Sequence, residues 1–209
     1  MLRASNSSFK RTPTAPLNSG VRSPGDIVRT WTLLTALFFP FACSAQNFCA
    51  YKNTNQLVWD KDFQQHVKQF FGSERDGLYW KNGLLSDQAI EGLGGPADDI
   101  RQLGPKLVMA SACRAHSCME KAAAIIACPS TVLAVGILHF SCSRSCSSDA
   151  TVTLFFSDKN KTLQGRPELE AWGKRAAESE DKRFTYQLRT QSNKPLQPTA
   201  QPLPRPAGG

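Results

Sequence analysis

The six residues Cys113-Arg114-Ala115-His116-Ser117-Cys118 contain two cysteines that can form a disulfide with each other. Between them lies a histidine, whose imidazole can bind a partner. A disulfide between the two cysteines would close a loop of four residues and fix its backbone before a partner arrives. This removes ordering entropy that binding would otherwise have to overcome. The imidazole of His116 offers two ring nitrogens for hydrogen bonds. The alternative is a disulfide-closed turn whose histidine only faces water.

Two other chemistries are compatible with the cysteines and histidines of this region. The loop and the motif His139-x2-Cys142-x3-Cys146 together offer six nitrogen and sulfur ligands, of which a zinc ion takes four. The two loop cysteines could also exchange disulfides with other thiols. Redox enzymes, however, usually place two residues between their cysteines and one cysteine at a helix start, whereas here four residues intervene between expected strands. We therefore predict no metal and no other cofactor.

The sequence contains no Gly-x-Ser-x-Gly, no His-Glu-x-x-His and no glycine-rich phosphate loop. The run Gly92-Leu93-Gly94-Gly95 is too short for such a loop and precedes Pro96. The adjacent carboxylates of Asp98 and Asp99 diverge on a helix end, and His66 is expected on a helix surface. The sequence therefore predicts that the protein is not an enzyme.

Residues 30–45 have the pattern of a secretory signal peptide. Arg22 and Arg29 precede a short apolar core, and small residues end it. The core has about 11 residues, whereas a membrane-spanning helix needs roughly 20. Cleavage is expected after Ala45. Lipidation of Cys43 is the competing interpretation, although Pro40 suits a lipidation motif poorly.

Residues 1–29 precede this signal. The first 25 of them are rich in Ser, Pro, Thr and Arg and show no periodic pattern of apolar residues. This composition is typical of disorder. They are either an extended leader or the result of a start codon assigned too early, with Val28 as a candidate true start. We expect a periplasmic or secreted protein. No transmembrane span is expected in the mature chain.

Removing the signal would leave six of the seven cysteines. These are Cys49, Cys113, Cys118, Cys128, Cys142 and Cys146. An even number of cysteines in an exported chain indicates disulfides in an oxidising compartment. Six cysteines allow 15 connectivities, among which the sequence does not choose.

The charge of the protein argues against nucleic-acid binding. The whole chain has a formal charge of +8, and residues 46–209 have 20 Lys and Arg against 16 Asp and Glu, a net +4. Two of these positive charges, Lys194 and Arg205, lie in the C-terminal tail. No cluster of basic residues interleaved with aromatic residues is present, so a nucleic-acid partner is not expected.

Residues 46–190 are expected to form a single domain, followed by a disordered tail at residues 191–209 that contains five prolines. Helices are predicted at residues 60–71, from Ser86 as N-cap, and at residues 167–177, with one further turn at residues 98–103. Strands are predicted at residues 106–112, 121–128, 131–140, 151–156 and 183–189. This order predicts an α+β fold with an antiparallel β-sheet of about five strands and short helices packed on one side.

The turn Pro129-Ser130 joins two of these expected strands and predicts their register. If residues 121–128 pair with residues 131–140 through this turn, the numbers of facing residues add up to about 259 or 260. Cys142 would then lie beside Cys118. The Cys113–Cys118 loop would lie at one end of the sheet, where functional residues are often presented by a rigid scaffold.

The loop resembles the signature of the inhibitor of vertebrate lysozyme family, bacterial envelope proteins with the pattern Cys-Lys-Pro-His-Asp-Cys between two strands. The cysteines, the histidine and a basic residue after the first cysteine match, whereas Ala115 and Ser117 replace the proline and the aspartate. Residues 152–161 are also similar to a strand and charged turn of that family. The resemblance extends loosely over residues 55–180 and is sharp only in the loop.

The resemblance implies a binding protein that blocks a c-type lysozyme. A lysozyme cleaves glycosidic bonds with two facing carboxyl groups. In this interpretation His116 enters the cleft and hydrogen-bonds to those carboxyls, Arg114 adds a contact to the same acidic cleft, and Cys113 and Cys118 hold the loop in shape. The alternative is an envelope protein of similar fold that binds another partner or a zinc ion. A homodimer is left open.

Overall fold

The computed structural model describes the backbone of residues 46–142, 146–178 and 183–196, and the side chains of these ranges except those of residues 141–148. The expected leader at residues 1–29 and the expected signal peptide at residues 30–45 lie outside the described residues. Among the described residues, four α-helices follow a short 3-10 helix at Phe48–Ala50. They are α1 (Thr54–Val58), α2 (Lys61–Phe71), α3 (Leu85–Gly92) and α4 (Arg166–Glu178).

Eight strands form two sheets in the part of the chain that the structure describes. The strands are β1 (Arg75–Asp76), β2 (Gly83–Leu84), β3 (Arg101–Gly104), β4 (Leu107–Arg114), β5 (Ser117–Ala127), β6 (Thr131–Cys142), β7 (Cys146–Phe156) and β8 (Phe184–Thr190). The first two form a small hairpin, and the other six form one sheet in the order of the chain. Neighbours from β3 to β7 are antiparallel, and β8 lies parallel to β7. The predicted α+β class is confirmed. The sheet was expected to be antiparallel with about five strands; it has six described strands, and all neighbours but β7 and β8 are antiparallel.

The large sheet is covered on both faces, because its central strands carry apolar side chains at successive positions. On one face, Ala122, Ala124 and Ile126 of β5 pack with residues of α1, α2 and α3. On the other, Ala123 and Ile125 pack with residues of α4. We expected helices on one side only. A connection between two parallel neighbouring strands has to cross a face of the sheet, and α4 is the helix of that connection.

The predicted register of β5 and β6 is confirmed in the middle of the pair. The numbers of facing residues add up to 259, as in Ala122 opposite Ile137, and change to 258 at a bulge where Ile126 faces Val132. Cys142, however, does not lie beside Cys118. The pairing of these two strands ends at Lys121, and the backbone of Cys142 is instead paired with that of Cys146 in β7.

Three local predictions differ from the structure. Ser86 is buried inside α3 and does not cap it, since the N-cap residue is Leu84, without a side-chain hydrogen bond. Residues 98–103 do not form a helical turn, because Arg101–Gly104 pairs with β4 as an edge strand. Residues 191–196, expected to begin the disordered tail, turn back so that Pro195 bridges to Arg189 and the Leu196 N–H donates to the Leu188 carbonyl at 2.9 Å. Residues 197–209 lie outside the described residues.

No helix in the described part of the chain has both the length and the apolar character needed to cross a membrane.

A polar cluster interrupts the apolar packing where β6, β7 and β8 meet. His139 is buried, and its Nε2 lies 2.9 Å from the Thr153 hydroxyl oxygen. Its Nδ1 is also buried and has no hydrogen-bond partner among the described residues. Burial lowers the pKa of His139 to about 4, and the positive charge of Arg189 adds to this shift while the carboxylate of Asp76 opposes it. Arg189 and Asp76 form an ion pair with each other.

We predict that the free energy of unfolding decreases as pH falls from 6.5 to 4, and that His139 causes a large part of the decrease. Its pKa is about 4 in the folded protein against the ordinary value of 6.5. The unfolded chain therefore binds more protons in this range, and folding loses about 3 kcal/mol across it. Urea unfolding at several pH values, with His139→Gln beside the unsubstituted protein, measures this. Equal pH slopes in the two proteins would contradict the assignment.

Candidate binding loop

The residues of the Cys113–Cys118 motif form the tip of the hairpin between β4 and β5. Arg114 faces Ser117 across the end of the ladder, so that Ala115 and His116 make the turn. His116 has a φ angle of 64°, a left-handed conformation that histidine adopts more readily than most residues. Its side chain is exposed, and no described residue hydrogen-bonds to it. The imidazole is therefore free to meet a partner.

The loop cysteines are joined to each other. The sulfur atoms of Cys113 and Cys118 are bonded, with a Cα–Cα distance of 4.6 Å. The ladder runs from Cys113 opposite Lys121 directly to Arg114 opposite Ser117. Cys118, Met119 and Glu120 are thus three extra residues of β5, and the disulfide closes the hairpin at the point where this bulge begins.

A segment that lies before β3 in the chain supports the loop from the side. The Gly95 N–H donates to the Cys113 carbonyl at 2.9 Å, and the Cys113 N–H donates to the Pro96 carbonyl at 3.1 Å. A Cβ atom at Gly95 would lie 2.4 Å from the Cys113 oxygen and 2.7 Å from the Ala115 nitrogen. The backbone of the loop can approach this closely only because residue 95 is glycine.

Arg114 holds the loop from within the molecule. Its Nη1 lies 2.6 Å from a carboxylate oxygen of Glu120, and its Nε lies 3.4 Å from one of Glu91. The guanidinium carbon lies 4.9 Å from the ring centre of Tyr79 and 5.7 Å from that of Trp80. A contact of Arg114 with an acidic cleft stays a prediction. In the free protein its guanidinium contacts two carboxylates and two aromatic rings of its own chain.

The residues around Arg114 favour the charged form of its guanidinium. Burial opposes the charge of Arg114, but the hydrogen bond and attraction from Glu120, with a smaller contribution from Glu91, raise the pKa of its guanidinium above the ordinary value. Burial also raises the pKa of Tyr79. The Tyr79 hydroxyl donates to the Lys121 carbonyl at 3.0 Å, which ties the Tyr79 ring to β5.

The other two residues predicted to bind a partner, Ala115 and Ser117, are uncharged. Both are half-buried. Neither has a charge with which to contact a partner. His116 is therefore the residue of the loop turn that presents a free ring nitrogen.

For the remaining cysteines the sequence predicted disulfides but not which cysteines pair. Cys49 is bonded to Cys128 over a sequence separation of 79, which ties the 3-10 helix to the end of β5. Cys142, the last residue of β6, and Cys146, the first residue of β7, are backbone partners, and their side chains lie outside the described set. Within the described ranges, no group of three His, Cys, Asp or Glu side chains is placed to hold a metal ion.

Reasoning from the sequence identified the loop and its turn but missed the residues that hold it. Tyr79, Glu91 and Glu120 come from the β1–β2 hairpin, from α3 and from the bulge of β5. No local pattern joins them. Gly95 gives a partial signal, since the run Gly94-Gly95-Pro96 is typical of a helix end but does not indicate what packs against it.

Comparison with known proteins yields no match to a family model, a curated protein or a solved structure.

The two disulfides should differ in their effect on stability. A disulfide stabilises the folded protein by lowering the entropy of the unfolded chain. This stabilisation is about 4.5 kcal/mol for a bridge over 79 residues and about 2 kcal/mol for one over 5. We predict that Cys49→Ala/Cys128→Ala lowers the free energy of unfolding by roughly twice as much as Cys113→Ala/Cys118→Ala. Urea unfolding of both double variants measures this. A larger loss in the loop variant would contradict the prediction.

Gly95→Ala should disturb the loop. Its methyl group would overlap backbone atoms that cannot rotate away, so we expect a loss of about 1–3 kcal/mol of stability and faster amide exchange at Cys113. Gly104→Ala is the matched control, since a Cβ atom at residue 104 meets nothing within 4 Å. The packing role of Gly95 is wrong if both variants unfold at the same urea concentration.

Proposed function

We propose that the protein inhibits c-type lysozyme by placing His116 in the catalytic cleft. The observation that supports the proposal best is an exposed imidazole that no described residue hydrogen-bonds, at the tip of a hairpin whose base is fixed. The resemblance of the loop to the inhibitor of vertebrate lysozyme family suggests the partner. The cleft of such an enzyme contains two carboxyl groups, to which the ring nitrogens of His116 would hydrogen-bond.

The loop suits this role because little freedom remains to be lost on binding. The disulfide, the hydrogen bonds to Gly95 and Pro96 and the ion pairs of Arg114 all restrain it in the free protein. A restrained binding loop loses less entropy on association than a flexible one. In this role the protein binds as a plug and carries out no turnover, and Arg114 acts as a positioning residue.

Lysis of a bacterial cell suspension by c-type lysozyme, followed as turbidity in the presence of the purified protein, tests the proposal. We expect inhibition that saturates near one inhibitor per enzyme. His116→Asn should raise the half-inhibitory concentration by about 10- to 100-fold, because a hydrogen bond to a charged group is worth about 1.5–3 kcal/mol.

Asparagine is chosen because it tolerates the left-handed backbone of residue 116, so that a loss of inhibition reports the imidazole and not a strained turn. His66→Asn on α2 is the control, since it removes an imidazole away from the loop. Full inhibition by His116→Asn would rule out the plug mechanism. No inhibition by the unsubstituted protein would rule out the function.

A further inference from the structure

Large exposed apolar side chains are few in the described part of the protein, and two of them lie at the candidate loop. The exposed set consists of Trp59 at 72%, Trp80 at 39%, Met119 at 45% and Tyr186 at 40%. Trp80 contacts Arg114, which precedes His116 by two residues in the sequence. Met119 follows Cys118 in the bulge of β5. Apolar groups concentrated around one polar tip are typical of a protein-binding surface.

The indole of Trp80 is held in place in the free protein. Its ring rests on Gly83, where a Cβ atom would lie 2.2 Å from the indole Nε1. A second restraint is the guanidinium of Arg114, whose carbon lies 5.7 Å from the ring centre. Arg114 is fixed in turn by Glu120, 2.6 Å away. A large side chain that is both exposed and held in one orientation costs little entropy when a partner covers it.

Met119 is presented by the irregularity of the hairpin. Cys118, Met119 and Glu120 are the three residues of β5 without partners in the ladder to β4. Glu120 turns to Arg114, and Cys118 is bonded to Cys113. The bulge is therefore anchored at the residues on both sides of Met119, while the thioether itself remains exposed. Its flexible side chain can adapt to an uneven apolar surface.

We infer that Trp80 and Met119 flank His116 as the apolar contacts of the binding surface, covering the rims of the lysozyme cleft while the imidazole reaches the carboxyl groups. This inference rests on the proposed function. It makes these two residues determinants of affinity, since aromatic anchors beside a buried polar contact dominate many interfaces. Arg114 then serves both parts of the surface, because it restrains the His116 turn and supports the indole.

The test is the dissociation constant for c-type lysozyme, measured by titration calorimetry with the whole exported protein. We expect Trp80→Ala and Met119→Ala each to raise Kd by about tenfold or more. Trp59→Ala is the matched control, because it removes an even more exposed indole at the end of α1 and should change Kd by less than twofold.

Two further variants separate contact from loop support. Trp80→Phe keeps an aromatic ring beside Arg114 and should recover part of the affinity lost in Trp80→Ala. Met119→Leu should restore affinity lost in Met119→Ala without touching the Arg114 contacts. If unsubstituted protein binds lysozyme and either alanine variant binds within twofold of it, the inference is overturned while the proposed function stands. If unsubstituted protein does not bind, both are overturned.

Discussion

The position of the candidate loop depends on the guanidinium of Arg114. It joins the turn of one hairpin to α3 through Glu91, to the bulge of β5 through Glu120 and to the β1–β2 hairpin through two aromatic rings. Exposed ion pairs contribute little to stability. Here, however, the Arg114 side chain is only 25% exposed and that of Glu120 only 13%, so removing one partner would leave a poorly solvated charge. A shift of the loop would therefore separate Arg114 from Glu91, Glu120 and both aromatic rings at once.

The sheet supplies the rigid base for this arrangement. Three successive alanines of β5 place small side chains on both faces of the sheet, Ala122 and Ala124 on one and Ala123 on the other, and this lets α3 and α4 approach from opposite sides. Gly92 of α3 is part of the same solution, since a Cβ atom there would lie 2.5 Å from the Tyr79 hydroxyl. Tight packing of the helix thus places the Tyr79 ring under Arg114. The core and the loop are connected through the same few residues.

Local sequence patterns predicted the parts of this fold that depend on neighbouring residues. Apolar runs and the Pro129-Ser130 turn were sufficient for β4 to β7 and for the register of β5 with β6. The contacts around Arg114 were not predictable in this way, because they join residues up to 35 positions apart, from Tyr79 to Arg114. The position of α4 across the sheet from the other helices is connected with the parallel pairing of β8 to β7. The alternation of polar and apolar residues in β8 does not indicate that this pairing is parallel.

In the proposed function, the His116 side chain occupies a glycosidase cleft. Binding of the protein to c-type lysozyme in the presence of a saturating oligosaccharide ligand of that cleft tests this directly. If His116 enters the cleft, the saccharide competes, and the apparent affinity for lysozyme falls in proportion to saccharide occupancy. Unchanged affinity at full saccharide occupancy would contradict the account, since it would place the protein on another surface of the enzyme.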